Sequence, residues 1–151
     1  MVYNLCIYTL KVGCIMLSRK AAREQAFILI FEKSFNDYPI EEILETAKTI
    51  RDFETDDYTV SVFTGVYDNL TEIDNLISQH SKGWAVKRIG RVSLSVLRLA
   101  IYEMLYRDDI PVSVSVNEAV ELCKKYSTTE DASFVNGILG AVSRSGEGCK
   151  E

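Results

Sequence analysis

Apolar residues recur at helical spacing along most of this chain. From Ser18 onward they fall three and four positions apart, as on the buried face of an amphipathic helix. This pattern predicts helices over residues 19–35, 40–53, about 57–80 and 92–107. In the last of these, apolar side chains extend most of the way around the helix, so we expect it to be central and buried. The apolar residues of that helix are Val92, Leu94, Val96, Leu97, Leu99, Ala100, Ile101, Met104 and Leu105.

The stretch IPVSVSV after the central helix has apolar residues at alternate positions instead. Because no second strand with a hairpin turn is available to pair with it, we interpret it as an extended linker. Ser115 and Glu118 have the spacing of a capping box and predict the start of the next helix. Thr128 and Asp131 form a weaker box before the last helix. The chain is therefore predicted to be an all-α single domain of six main helices, or about seven with a short one near 85–90.

The two ends of the chain differ from this helical body. Residues 1–15 are mostly apolar, with Lys11 as their one charged side chain. They lack the basic start and cleavage site of a signal peptide, and they are shorter than a membrane span. We expect Met16 to be the natural start and residues 1–15 to be a non-native or disordered extension. The polar, Gly-rich tail at 144–151 is expected to be flexible, which leaves residues 17–143 as the helical domain.

Composition and charge exclude several classes of protein. The 151 residues are 47% apolar and 26% charged, as in one folded domain. With 17 basic and 22 acidic residues the net charge is −5, which excludes nucleic-acid binding through bulk positive charge alone. The chain has one histidine and lacks the dinucleotide, P-loop and zinc-protease motifs. We therefore expect no catalytic residue, no cofactor and no metal site.

Cysteine usage favours a reducing compartment. The four cysteines are Cys6, Cys14, Cys123 and Cys149. No two of them have the spacing of a metal-binding or redox pair, and no histidine lies near them. We expect free thiols in the cytoplasm.

Five stretches occur together in a characteristic order. They are RKAAREQAFILIF at 19–31, WAVKRI at 84–89, VLRLAIYEM at 96–104, IPVSVSVNEAVELCKKY at 110–126 and FVNGIL at 134–139. The ordered set covers about residues 17–143 and resembles the NusB family of transcription antitermination factors. The resemblance implies an all-helical fold of two three-helix subdomains packed crosswise. It also implies binding of the boxA element of nascent ribosomal RNA with NusE, a small-subunit ribosomal protein, on the elongating RNA polymerase with other Nus factors.

Arg19, Lys20 and Arg23 form the densest basic cluster near an end of the domain. Arg19 and Arg23 are four residues apart and can share a helix face, and such side chains bind the phosphates of single-stranded RNA. The resemblance implies the same role, because the arginine-rich RNA-binding start of the family falls on these positions. Ala21 and Ala22 thin the cluster, and a merely solvated helix end is the alternative.

The FVNGIL segment is the second candidate RNA-binding site. Asn136 and Gly137 are poor residues for a helix interior and together cost about 1–1.5 kcal/mol relative to alanine. A helix that carries them has either a packing reason, since glycine admits a close neighbour, or a functional one. In the family this segment lies beside the RNA path, which implies RNA contacts by Phe134, stacked on a base, and by Asn136. Packing of Phe134 in the core is the alternative.

A second basic group surrounds Trp84. Its members are Lys82, Lys87, Arg88 and Arg91. We interpret the group as the solvated side of a short helix rather than as an RNA surface. We interpret Trp84 itself as an anchor in the core.

The resemblance places the partner-binding surface around the turn into the central helix. It implies that Arg91, Ser93 and Leu94 contact NusE. Ser93 stands where relatives commonly have an acidic residue, so one charge contact with the partner is missing here. For Arg98 and Glu103, a structural role and a partner contact both remain open.

These features predict a non-enzymatic, cytoplasmic antitermination factor that requires no membrane. A small cationic corner on an acidic body predicts weak RNA binding by the chain alone, and tighter binding when a second protein spans the same RNA. The alternative is a helical protein–protein adaptor without RNA affinity. A NusB-like domain also occurs in RNA cytosine methyltransferases, but the sequence lacks the strand, glycine loop and helix of a cofactor domain.

Overall fold

The computed structural model describes residues 17–50 and 56–147. Its helices are α1 Arg19–Lys33, α2 Ile40–Ile50, α3 Asp57–Asp68, α4 Leu70–His80, α5 Arg91–Tyr106, α6 Val112–Tyr126 and α7 Thr129–Arg144, with a short 3₁₀ helix at Val86–Arg88. Regular structure in the described ranges is entirely helical, which confirms the predicted all-α class. The predicted N-terminal extension at 1–15, Met16 and residues 148–151 of the predicted tail lie outside the described residues.

Polar side chains begin several of these helices. Asp56 caps α3 by accepting a hydrogen bond from the backbone N–H of Thr59 at 2.9 Å. Thr128 caps α7 by accepting one from the backbone N–H of Asp131 at 3.1 Å. Each cap satisfies an N–H group that has no partner within its own helix. The predicted helix start at Thr128 is therefore confirmed.

The prediction of an extended linker before α6 is wrong. The helix begins directly after Pro111, whose fixed backbone suits a helix start. Ser115 is therefore inside α6 rather than at its cap, and its hydroxyl donates to Oε2 of Glu103 at 2.6 Å. Alternating valines and serines have a low intrinsic propensity for helix. They form one here because packing against α5 outweighs that propensity.

The predicted single helix over about 57–80 is two helices. Asn69 lies between α3 and α4, and its backbone N–H and side-chain Nδ2 both donate to the carbonyl oxygen of Gly65, at 3.1 and 2.8 Å. This side-chain bond competes with continuation of the helix and ends α3. After the break, α4 packs against α5 and α7.

The central position predicted for α5 is confirmed. This helix contacts α1, α3, α4, α6 and α7, and its residues from Ser93 to Met104 are buried apart from Arg98. Helices α1, α2 and α3 form one group, and α4 to α7 form a second, so the second group has four helices rather than three. Within the described ranges, no helix has the length and apolarity needed to cross a membrane.

The Tyr102 ring of α5 packs directly against Gly65 of α3. A Cβ atom added to Gly65 would lie 2.3 Å from Cε2 of Tyr102. Real Cβ atoms do not come so close, so the absence of a side chain at Gly65 leaves the space that the ring occupies. The contact ties the first helical group to the central helix.

Candidate nucleic-acid interface

Two predicted RNA-binding residues lie exposed at the start of α1. Arg19 and Lys20 occupy its first turn, which contains no acidic residue, after the capping residue Ser18. The first turns of α2, α3, α4 and α7 each contain acidic side chains instead. The N-terminal end of a helix carries a partial positive charge that repels cations and attracts anions. The start of α1 is therefore suited to a bound anion such as a phosphate.

The guanidinium group of Arg19 is oriented by its neighbours and remains accessible. Its Cζ atom lies 4.4 Å from the ring centroid of Tyr58, and its Nη1 lies 3.5 Å from Oδ2 of Asp109. The side chain is still 46% exposed. Asp109 is also held by two hydrogen bonds of 2.9 Å from Arg107, which lower the pKa of its carboxyl group to about 2. An RNA phosphate at Arg19 would compete with this ionised carboxylate.

Lys20 lies in a surface where cations and carboxylates alternate. Glu24, one turn further along α1, accepts hydrogen bonds from Lys125 and from the Tyr126 hydroxyl. The hydrogen bond from Lys125, more than the nearby charge of Lys20, lowers the pKa of Glu24. This corner of the molecule is therefore not strongly basic, although individual cations on it are exposed.

Arg23 does not belong to the exposed surface, which corrects its prediction as an RNA-binding residue. Arg23 is only 4% exposed, and its Nε donates to Oε1 of Glu103 at 2.7 Å. The carboxylate of Glu103 also accepts hydrogen bonds from the hydroxyls of Tyr58 and Ser115. Burial opposes the charge of Arg23, but the hydrogen bond and charge of Glu103 outweigh it and raise the pKa of Arg23. Its donors are used inside the core, so Arg23 is a structural ion-pair residue.

Phe134 and Gly137 line a cleft of about 370 Å³ between α7 and the loop after α4. Phe134 is half-buried, and a Cβ atom added to Gly137 would meet nothing within 4 Å. A packing reason for this glycine is thereby excluded within the described structure. Asn136 is exposed and lines a different groove with Asn117 and Lys124. The structure therefore places the two predicted RNA-binding residues of α7 on different sides of the helix.

The interpretation of Trp84 as a core anchor is wrong, because its side chain lies at the surface. The residue is 56% exposed. It lines the cleft beside Phe134 and also a second cleft of about 320 Å³, which Phe134 shares. The backbone before it turns through two residues with positive φ, Lys82 at 48° and Gly83 at 88°, and this turn carries Trp84 away from the core.

Of the three predicted partner-binding residues, Arg91 alone is exposed. Its guanidinium lies over the ring of Phe35, with Cζ 4.1 Å from the centroid, and Phe35 is 56% exposed. Ser93 and Leu94 are 2% and 9% exposed, because α5 faces the core on most of its sides from this point onward. Ser93 hydrogen-bonds to the thiol of Cys123, whose pKa is raised to about 11 by burial. The burial of Ser93 and Leu94 therefore corrects the prediction that they contact a partner directly.

Arg98 and Glu103, whose roles the sequence leaves open, both have structural roles. Arg98 makes a two-bond ion pair with Asp74 of α4, at 2.9 and 2.8 Å, and Glu103 is 1% exposed beside Arg23. Sequence reasoning missed Tyr58, which orients Arg19, because nothing in its local pattern links it to α1.

The similarity to known proteins extends along nearly all of the described chain. The NusB family model matches residues 20–144. The transcription antitermination protein NusB of Acetivibrio thermocellus is 47% identical over 128 residues, which cover 83% of this chain and 88% of that protein. The protein of the same name from Natranaerobius thermophilus is 43% identical over 131 residues, covering 83% and 94%.

Solved structures show the same helical arrangement. A structure of T. maritima NusB matches with a TM-score of 0.76 at 34% identity, covering 86% of this chain and 93% of that one. A crystal structure of the antitermination factors NusB and NusE in complex with dsRNA matches with a TM-score of 0.76 at 25% identity, covering 84% and 96%. In both cases the likeness spans nearly the whole of the solved chain.

Proposed function

Because this chain belongs to the NusB family, we propose that it is a transcription antitermination factor that binds boxA-type single-stranded RNA of nascent ribosomal transcripts together with NusE. The proposed setting is the elongating RNA polymerase with other Nus factors, in the cytoplasm. The observation that carries the proposal is the shared fold with a NusB that was solved with NusE and dsRNA. The proposed functional unit is residues 17–143, and no catalytic step is part of it.

The proposed RNA surface begins at the first turn of α1. Arg19 and Lys20 are exposed at the positive end of this helix, where a phosphate is favoured. On α7, Phe134 offers a half-buried ring for a base, and Asn136 offers an exposed amide. Arg23 supports this surface from the core without touching RNA.

The charges around this surface favour RNA binding that depends on the partner. With Arg23 buried, two cations remain for phosphates at the start of α1, which corresponds to a log–log salt slope of about −1.4 for single strands. Carboxylates of Asp109 and Glu24 lie beside those cations and weaken the local potential. A partner that holds part of the same RNA raises the affinity through effective concentration. In the proposal, Arg91 and its neighbour Phe35 face that partner.

The competing function is a protein–protein adaptor without RNA affinity. The exposed pair of Arg91 and Phe35 is the feature that favours it, since arginine and aromatic residues are common in protein interfaces. Under this alternative, Arg19 and Lys20 are merely solvated.

A titration of labelled boxA-containing RNA at one fixed salt concentration distinguishes these functions. The chain is measured alone and with purified NusE, with NusE alone as the reference. We expect weak binding by the chain alone and markedly tighter binding by the pair than by either protein. Association with NusE that leaves RNA affinity equal to that of NusE alone supports the adaptor and contradicts our proposal.

A further inference from the structure

Trp84 is an exposed aromatic residue whose position is fixed by a tight turn. The Ser81 hydroxyl is buried and donates to the carbonyl oxygen of Trp84 at 2.6 Å, and the Trp84 N–H donates to the Ser81 carbonyl at 3.2 Å. Lys82, inside the turn, has a φ of 48°, which is unfavourable for a residue other than glycine. Such local strain persists only where surrounding interactions hold the residue in place, and it occurs often at binding sites.

The cleft beside Trp84 has the features of a site for a flat ring. Trp84 and Phe134 line it, and the open backbone at Gly137 forms part of its α7 wall. Glycine is costly at this position inside a helix, and no neighbour within residues 17–50 and 56–147 occupies the space that its missing side chain leaves. The space is therefore free for a ligand.

The cations at this cleft have no carboxylate partner among the residues that the structure describes. Lys82 and Arg144 line it, and among residues 17–50 and 56–147 no carboxylate lies within ion-pair distance of either. Arg19, at the start of α1, is by contrast paired with Asp109. The second cleft beside Trp84 contains one cation, Arg88, and two carboxylates, Glu130 and Asp131, so a phosphate is disfavoured there.

From this combination we infer that Trp84 and Phe134 form a binding cleft for one unpaired nucleobase, with the flanking phosphates of the strand at Lys82 and Arg144. Aromatic side chains stack on the π-face of any base, and cations beside them bind the sugar–phosphate backbone. The inference rests on the proposed RNA-binding function and adds Trp84, Lys82 and Arg144 to the contact already proposed at Phe134. It also reverses the role that the sequence assigns to the basic group around Trp84.

The chain contains a single tryptophan, so its fluorescence reports on the surroundings of Trp84, which lines this cleft and the second one. We propose to titrate the chain with boxA-containing RNA and NusE while following Trp84 emission and, separately, the anisotropy of labelled RNA. The variant Trp84→Phe supplies the background signal from NusE and RNA. We expect Trp84 emission to be quenched in parallel with RNA binding, because a stacked base quenches the indole.

Each contrary outcome has a distinct meaning. RNA binding seen by anisotropy with unchanged Trp84 emission overturns the cleft and leaves the proposed function standing. A change in emission on adding NusE without RNA assigns the cleft to a protein partner and also overturns the inference. Absence of any RNA binding, with NusE present, overturns the proposed function and the cleft together.

Variants test the same cleft by affinity. Trp84→Ala should lower RNA affinity about 5-fold or more, whereas Trp84→Phe should largely retain it. Tyr38→Ala is the matched control, since Tyr38 is 59% exposed at another surface and should leave the affinity unchanged. Gly137→Leu fills the cleft and should weaken RNA binding while raising the melting temperature, because leucine favours the helix. Normal RNA affinity in both Trp84→Ala and Gly137→Leu contradicts the inference.

Discussion

Nε of Arg23 on α1 donates to Oε1 of Glu103 on the central helix at 2.7 Å, and the two side chains are 5% and 1% exposed. The pair joins the first helical group to α5 inside the core. A buried charge that loses its partner is strongly unfavourable, whereas the intact pair is satisfied by additional hydrogen bonds. Arg23 is therefore a stability residue in a sequence segment that otherwise carries exposed cations.

Replacing Arg23 tests this assignment. Arg23→Leu should lower the free energy of unfolding by about 3–5 kcal/mol, since Glu103 is left without its cation. Urea unfolding measures the loss, and Lys124→Leu, at an exposed pair, should change little. The RNA affinity of the folded fraction should stay unchanged. A stable Arg23→Leu protein that no longer binds RNA would show that Arg23 is an RNA-binding residue after all.

Two glycine-to-alanine substitutions should change stability in opposite directions. At Gly65 the new methyl group would overlap the Tyr102 ring, which is 8% exposed and would have to shift within the core. We expect Gly65→Ala to lower the free energy of unfolding by about 1–3 kcal/mol. Gly137→Ala meets no neighbour and should raise it by about 0.5–1 kcal/mol. Thermal unfolding of both variants checks the prediction. Two changes in stability of the same sign would contradict it.

Tyr67 should make stability depend on alkaline pH. Its hydroxyl donates to the carbonyl oxygen of Ile30 at 3.1 Å, and burial raises its pKa from 10.0 to about 12. The unfolded chain then loses the phenolic proton at lower pH than the folded chain does. The contribution of the Tyr67 hydroxyl to the free energy of unfolding is therefore complete below pH 10 and is lost as the pH rises toward 12. The stability difference between the wild type and Tyr67→Phe, measured by urea unfolding, should therefore shrink over this range.

Lys20 should contribute to the salt dependence of RNA binding. Lys20→Ala should flatten the log–log slope of RNA affinity against salt by about 0.7, the value for one phosphate contact on a single strand. Lys48→Ala is the matched control, because Lys48 is equally a lysine exposed on a helix but lies in the last turn of α2. Identical slopes for both variants would place phosphate binding elsewhere.

Asp109 should restrain the RNA affinity of Arg19. Asp109→Asn removes the carboxylate next to Arg19 and should raise RNA affinity about 2- to 5-fold at low salt, with a smaller gain at high salt. The pKa of about 2 means that Asp109 is ionised throughout the neutral range, so the gain should be the same at pH 6 and pH 8. RNA titrations at both pH values measure it. No gain at low salt would show that Arg19 does not contact RNA.

The predictions from sequence succeeded where the cause is local. The cap at Thr128 requires residues three positions apart, and the burial of α5 follows from its own apolar pattern. They failed at the start of α6 and at Asn69. In the first case, packing against α5 stabilised a helix that local preferences disfavour. In the second, one side-chain amide ended a helix whose apolar period continues.

The candidate site shows the same division. Sequence alone determined the helical class, the family resemblance and the exposed cations at the start of α1, because these depend on residue types and short spacings. Only the tertiary structure decided that Arg23 is buried and that Trp84 is exposed beside Phe134. Arg23 and Glu103 are separated by 80 positions. Whether a charged side chain faces water or an opposite charge depends on which helices pack against it. Helical periodicity does not show which distant residue that will be.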